Sequence, residues 1–285
     1  MLTLLHISDL HFGPPYLSHV GEALQRIAPA LHADAIVVSG DLTQRAKPQQ
    51  FREAQTFLEG LPPLPRLAVP GNHDVPLYRV WERVSDPMRE YRRHVSPELD
   101  QVMTIDGAVI VALDTTAPRR TLVRGRIDRA QVEFTRRAFA DAPPDAVRIV
   151  VAHHHFVGAP DTLRDRSMLG GHRAMKAYVD MGVDVILGGH LHRAFIGNSL
   201  DFFFEGPRDR GVILVQSGTS TSHHGRGRER ERNSFNLVEI HETWLQITHY
   251  LYYEETDAFG PMSRHTFPRT SHRLEDQKLP KRGQQ

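Results

Sequence analysis

Five short apolar runs in this chain each stop at a cluster of side chains able to hold a metal ion, and that repeated ending constrains the fold most. Leu2 to Ile7 is followed by Asp9 and His11, Ala35 to Val38 by Asp41, and Arg66 to Val69 by Asn72, His73 and Asp74. Val147 to Ala152 runs into His153, His154 and His155, and Val183 to Leu187 into His190 and His192. The runs are short and rich in β-branched residues, as buried strands are, and amphipathic segments separate them, which reads as a βαβα order. Ligands of open α/β sheets bind beyond the carboxyl ends of the strands, so the polar clusters are expected to converge on one edge.

Helices are expected over Tyr16 to His32, Pro48 to Leu58, Arg79 to Val95, Asp128 to Ala140 and His172 to Met181. Further strands are expected at Val102 to Ile105 and Ala108 to Leu113, and the late chain turns all-β, with runs at Phe202 to Phe204, Val212 to Gln216, Phe235 to Ile240 and Trp244 to Tyr253. Two stacked mixed sheets covered by outer helices, an α/β (α+β) architecture, accommodate this order. Residues 1–253 read as one domain. From Glu254 to Gln285 proline, arginine and hydroxyl residues accumulate without periodicity, and an irregular or disordered tail is expected there.

Composition narrows the chemistry. The chain has no cysteine, so thiolate metal sites and disulfides are excluded and any metal must be held by His, Asp, Glu or Asn. A formal net charge of +1 provides no global field to gather a polyanion, so nucleic acid enters only as a substrate. No run approaches the roughly 18 apolar residues of a membrane span. The first residues, MLTLLHISDLHFG, read as a strand and not a secretory leader, so a cytoplasmic setting is expected.

An isolated Asp-x-His or Gly-Asp is weak evidence, because such residues cap helices and form turns. Gly71-Asn72-His73-Asp74, by contrast, arises by chance in a chain of this length on the order of once in a thousand. With Asp9-x-His11, Gly40-Asp41 and Gly189-His190-x-His192 in order at strand ends, the set resembles the calcineurin-like binuclear metallophosphoesterase superfamily. The stretches SDLHFG, SGDLT, VPGNHD and GGHLHR are most similar to its bacterial cyclic-nucleotide and glycerophosphodiester phosphodiesterase branch. The resemblance implies a four-layer αββα sandwich and two divalent metal ions, manganese foremost, with iron or zinc as alternatives. It implies that Asp9, His11 and His192 hold one ion, that Asn72, His190 and one histidine of 153–155 hold the other, and that Asp41 bridges them. It also implies in-line attack of a metal-bridging hydroxide on a small phosphodiester, with His73 as the catalytic residue at the leaving group. A phosphomonoesterase, a nuclease and a non-catalytic scaffold are the competing readings, and a homodimer is compatible with all of them.

Two departures from the superfamily pattern matter. His-His-Pro or His-x-Pro usually follows the fourth catalytic strand, whereas this chain has His153-His154-His155-Phe156; with Phe156 in the proline's place the ligand is His154, and His153 is the runner-up. Many members carry an Asp three residues after the bridging Asp, paired with the histidine of the GNHD motif, and here that position is Gln44. A neutral amide orients an imidazole without supplying a carboxylate's charge. Asp74 is expected to fix its loop by accepting from backbone amides. Arginines gather in two loops, Arg119, Arg120, Arg124 and Arg126 in one and Arg226, Arg228, Arg230 and Arg232 beside His223 and His224 in the other. Either set reads as a solvated turn or as a rim for a phosphate or sugar. The hydroxyl run Thr219 to Ser222 is compatible with a pocket wall.

Overall fold

The structure, a computed structural model, describes residues 1–121, 123–157, 166–202, 211–225 and 232–269. One sheet comprises β1 (Leu2–Ile7), β2 (Ala35–Val38), β3 (Arg66–Ala68), β10 (Ser234–Ile240), β11 (Trp244–Tyr253) and β12 (Ala258–Pro268), in the order β12-β11-β10-β1-β2-β3. The other comprises β4 (Gln101–Ile105), β5 (Ala108–Leu113), β6 (Val147–Ala152), β7 (Val185–Gly188), β8 (Phe195–Asn198) and β9 (Ile213–Gln216), in the order β4-β5-β6-β7-β9-β8. Both are mixed. β1, β2 and β3 run parallel, as do β5, β6, β7 and β9, so their carboxyl ends share one edge.

Strand alternation separates three cores. Leu2, Leu4, Val37, Ile110, Ile149, Val151, Leu187 and Val215 point between the sheets and bury one another there. The opposite faces, Leu5, Ile7 and Val38 in one sheet and Val109, Val111 and Ile186 in the other, meet the helices. α1 (Ser18–Ile27) and α2 (Pro48–Glu59) cover the first sheet through Val20, Leu24, Phe51 and Phe57. α5 (Arg129–Ala140) and α6 (Gly171–Asp180) cover the second through Phe139, Met175 and Tyr178. The result is the expected four-layer αββα sandwich.

Three elements differ from expectation. The helix expected over 79–95 is two, α3 (Val80–Ser85) and α4 (Arg89–His94), because Pro87 lacks an N–H and disfavours helical geometry at Asp86. β8 lies where no strand was expected, while residues 203 and 204 of the expected 202–204 strand lie outside the described residues. The largest correction concerns the tail expected from 254 onward: residues 258–268 are β12, paired antiparallel along β11 with an irregularity at His249/Tyr250, beside Pro261. An edge strand tolerates proline, charge and exposure, so its sequence carries no buried alternation to read. The expectation for 270–285 lies outside the described residues.

Candidate metal centre

The carboxyl ends of β1, β2, β3, β6 and β7 bring the expected residues together, at a backbone cost. Nine non-glycine residues among those described have positive φ, and Asp9, His11, Asp41, His190 and His192 are five of them, at 52° to 73°. Left-handed geometry costs an ordinary residue about 1–2 kcal/mol, so surrounding bonds must hold each one. Asp9 N–H donates to the Gly40 carbonyl at 2.9 Å and His11 N–H to that of Asp41 at 3.0 Å, locking the first two loops together. Thr219 Oγ1 donates to the Asp9 carbonyl at 2.7 Å and Thr221 Oγ1 to that of Leu10 at 2.9 Å. The buried hydroxyl run is therefore a clamp on the Asp9 loop. Gly71 and Gly189 are required by close approach: a Cβ would overlap Asp41 Oδ1 at one and Ser8 Oγ at the other.

Each carboxylate divides its oxygens. Asp9 Oδ2 accepts from Ser8 Oγ at 2.7 Å and His190 N–H at 3.0 Å, and Asp41 Oδ1 accepts from His73 N–H at 2.7 Å. Asp9 Oδ1 and Asp41 Oδ2 are left buried with no hydrogen-bond donor among the described residues. Imidazole nitrogens surround them. His192 Nε2 lies 3.1 Å and His11 Nε2 3.7 Å from Asp9 Oδ1, while Asp41 Oδ2 stands 3.9 Å from His11 Nε2 and 3.2 Å from His153 Nε2. His11 Nε2 and His192 Nε2 approach each other to 3.2 Å. Ligand atoms of Asp9, His11, Asp41 and His192 form one group, and those of His153, His154 and His190 a second, each within 4.8 Å. Asn72 Oδ1 joins the second group 2.9 Å from His190 Nδ1.

Donorless buried carboxylate oxygens facing convergent imidazole nitrogens fit a bound cation. The protonation balance agrees. Burial would raise both carboxyls, but His192 and His11 hold Asp9, and His153 holds Asp41, well below the usual carboxylate range. Burial opposes charge on His153 as well, yet Asp41 pushes it up to about 9, so its proton supplies the countercharge that a cation would otherwise bring. His154 and His190 are held well below the ordinary histidine value by burial first and by neighbouring imidazoles second.

Both candidate histidines of the 153–155 run enter the second group, by different means. His153 Nδ1 donates to the Ser39 carbonyl at 2.7 Å, which directs Nε2 toward Asp41; Nε2 carries the proton that balances Asp41 and would offer a lone pair only where a cation replaced that proton. His154 Nδ1 meets Thr115 Oγ1 at 2.8 Å, and its ring packs beneath Gly125. His73 Nδ1 donates to the backbone carbonyl of Gln44 at 3.0 Å, so the expected side-chain pairing is corrected. The Gln44 amide instead reaches His224 Nε2 at 3.2 Å, and the His224 carbonyl accepts from His192 Nδ1 at 3.0 Å. His224, whose ring lies 4.7 Å from that of His11, is the site residue that the sequence reading left as part of a loop, a solvated turn or a rim, without placing it at the metal-ligand group. Its doublet with His223 was the available signal, submerged in an arginine-rich loop. Asp74 behaves as expected: its carboxylate accepts from the N–H groups of Leu42, Thr43 and Gly71. Of the second arginine set, Arg226, Arg228 and Arg230 lie outside the described residues, and Arg232 is exposed.

A model of the family described as calcineurin-like phosphoesterase matches residues 2–194. The chain is 31% identical over 214 residues to a cAMP/cGMP dual specificity phosphodiesterase of Mycobacterium tuberculosis, covering 66% of this chain and 61% of that protein. It is 27% identical over 209 residues to a probable cyclic nucleotide phosphodiesterase of Rhodococcus erythropolis, covering 66% of this chain and 64% of the relative. The match thus spans less than two thirds of either relative. Among solved structures, the purple acid phosphatase PPD1 of yellow lupin (Lupinus luteus) seeds superposes with a TM-score of 0.70 at 13% identity, over 94% of this chain and 53% of that one, a likeness of fold. No helix among the described residues is long and apolar enough to cross a membrane.

Proposed function

The chain belongs to the calcineurin-like phosphoesterase family, and from that membership we propose that it hydrolyses small phosphodiesters, cyclic nucleotides foremost among them. Its similarity to the mycobacterial and rhodococcal phosphodiesterases supports the substrate class. The observation that carries the reading is Asp41 Oδ2, buried, without a well-aligned hydrogen-bond donor among the described residues, and facing His11 on one side and His153 on the other. In this reading Asp9, His11 and His192 would hold one divalent cation, Asn72, His190 and His153 would hold a second, and Asp41 would serve both. His153 takes the place that the motif alone gives to His154, because its Nε2 is the one beside Asp41. Nitrogen and carboxylate donors together suit Mn²⁺, with iron or Zn²⁺ as the other metals this donor set admits. When bound, such cations bring the pKa of water toward neutrality and neutralise charge on phosphoryl oxygens. A chain without cysteine is compatible with a cytoplasmic setting, which is the one we infer.

The chain's own residues supply orientation and a proton. His73 is fixed by its Nδ1 bond to Gln44, its backbone N–H holds Asp41, and Nε2 is left for the substrate. With Nδ1 already a donor, a neutral ring offers only a lone pair at Nε2. Donation to the leaving oxygen therefore requires the imidazolium, which makes His73 a general acid and not a passive hydrogen-bond donor. Asp74 ties the Asp41 and Gly71 loops together and so sets where His73 stands. The test is an assay of Mn²⁺-loaded protein against cyclic AMP, bis-p-nitrophenyl phosphate, p-nitrophenyl phosphate and single-stranded DNA. Faster turnover of the small diesters is expected. Failure to hydrolyse either diester would overturn the reading, and preference for DNA would make the protein a nuclease.

A further inference from the structure

The arginine loop that the metal centre does not use lines a cavity of its own. It lies at the carboxyl end of β5, the neighbour of β6, and has a volume of about 830 Å³, within the usual range for small-molecule sites. Thr115 and Gly125 divide it from the metal-ligand group: Thr115 Oγ1 touches His154 Nδ1 at 2.8 Å, Gly125 packs on the His154 ring, and the adjoining Thr116 and Arg126 face the cavity.

The cavity's charges are unequally satisfied. Asp100 accepts from the Asp114 N–H at 2.8 Å and from Gln131 Nε2 at 3.0 Å, and Asp114 Oδ1 accepts from the Thr116 N–H at 2.8 Å. Neither carboxylate forms an ion pair with an arginine of the lining among the described residues. Arg92 pairs with Asp86, and Arg119 donates to the Val84 carbonyl. Arg126, half-buried, and Arg120 and Arg137, both exposed, line the same space with no ion pair or side-chain hydrogen bond among the described residues. Between them lies an apolar floor, with Met88 buried and Leu99 and Phe134 half-buried. Phe134 and Arg137 are three apart on α5, so one helix face offers both the floor and a cation.

We propose that this cavity binds an organic phosphate of the size and charge of a nucleoside monophosphate, separately from the metal-ligand cluster. Unpaired guanidinium groups suit a phosphate dianion through paired N–H donors, and the floor suits a planar apolar base. Inorganic phosphate would leave that floor uncovered, and a free nucleoside would leave the arginines unpaired. The inference does not depend on which ester is hydrolysed at the metal centre.

The experiment is calorimetric titration of metal-loaded, full-length protein with 5′-AMP, adenosine and inorganic phosphate, in the wild type and in an Arg126→Ala/Arg137→Ala variant. AMP is expected to bind more tightly than either fragment, and the double variant to lose roughly 10-fold or more of that affinity. Turnover of bis-p-nitrophenyl phosphate in the variant should stay within about twofold of the wild type, since neither arginine belongs to the ligand cluster. Hydrogen exchange of the wild type, which does not depend on the variant's folding, is expected to show AMP-induced protection across residues 126–137. Equal AMP affinity in wild type and variant would place AMP at the metal centre and overturn the proposal. Equal affinity for AMP and inorganic phosphate, or absence of protection over 126–137, would overturn it as well.

Discussion

Asp9, His11 and His192 on one side of Asp41, and His153, His154 and His190 on the other, are held by different means. The first side owns a second carboxylate, Asp9, and its loop is clamped by the hydroxyls of Ser8, Thr219 and Thr221. Among the described residues the second side has no carboxylate beyond Asp41: three imidazoles and the Asn72 amide crowd together, and burial with mutual repulsion keeps His154 and His190 unprotonated. The difference teaches that the first side is anionic and rigid by construction, whereas the second depends on Asp41 for its charge. A chelator titration should therefore empty the second side first.

Asp41→Asn strikes at what the two sides share. It keeps the shape and removes the charge, so kcat on a diester should fall by roughly 10³-fold or more, with bound metal falling in parallel by elemental analysis. Retained metal content with lost activity would mean that Asp41 serves the reaction without bridging. His73, which belongs to neither side, comes next: His73→Ala should lower kcat by roughly 10²- to 10³-fold and leave metal content unchanged. The loss should be greater for an alkoxide leaving group than for nitrophenolate, because only the former needs a proton. Equal losses would reduce His73 to a positioning residue.

Two paired variants then sharpen the assignment within the second side. His153→Ala should weaken one metal by more than the roughly 10- to 100-fold that loss of a supporting partner costs, and His154→Ala should stay inside that range. The reverse order, read by competition with a chelator, would restore His154 as the ligand. The smallest effect is expected on the first side, where Thr219→Val removes the clamp on the Asp9 carbonyl together with the Thr219 Oγ1 bond to Ser222 Oγ. About 1 kcal/mol of stability should be lost in a urea unfolding curve. No change at all would mean that the left-handed Asp9 needs no such support.

What the chain disclosed in advance follows from how local each signal is. The αββα layering was legible because each strand carries its own alternation, as in Leu2 and Leu4 against Leu5 and Ile7. The clustering of Asp9, Asp41, Asn72 and His190 was legible because each sits immediately past a strand whose direction is fixed. β12 was hidden because an exposed edge strand needs no hydrophobic period. The position of His224 at the ligand group was not legible, because its place beside His11 depends on a contact across more than two hundred residues. The choice between His153 and His154 turns on where the backbone leaves β6 and on the Ser39 carbonyl, neither of which the triplet itself encodes. Gln44 misled for a related reason: its backbone carbonyl, common to every residue type, makes the bond expected of its side chain.

The claim beneath all of this is that one buried carboxylate oxygen joins two cation sites. Metal stoichiometry of the full-length protein saturated with Mn²⁺, measured beside Asp41→Asn at matched protein concentration, addresses it most directly. The account expects two ions per wild-type chain and at most one in the variant. A single ion per wild-type chain, or two retained without the Asp41 charge, would contradict it.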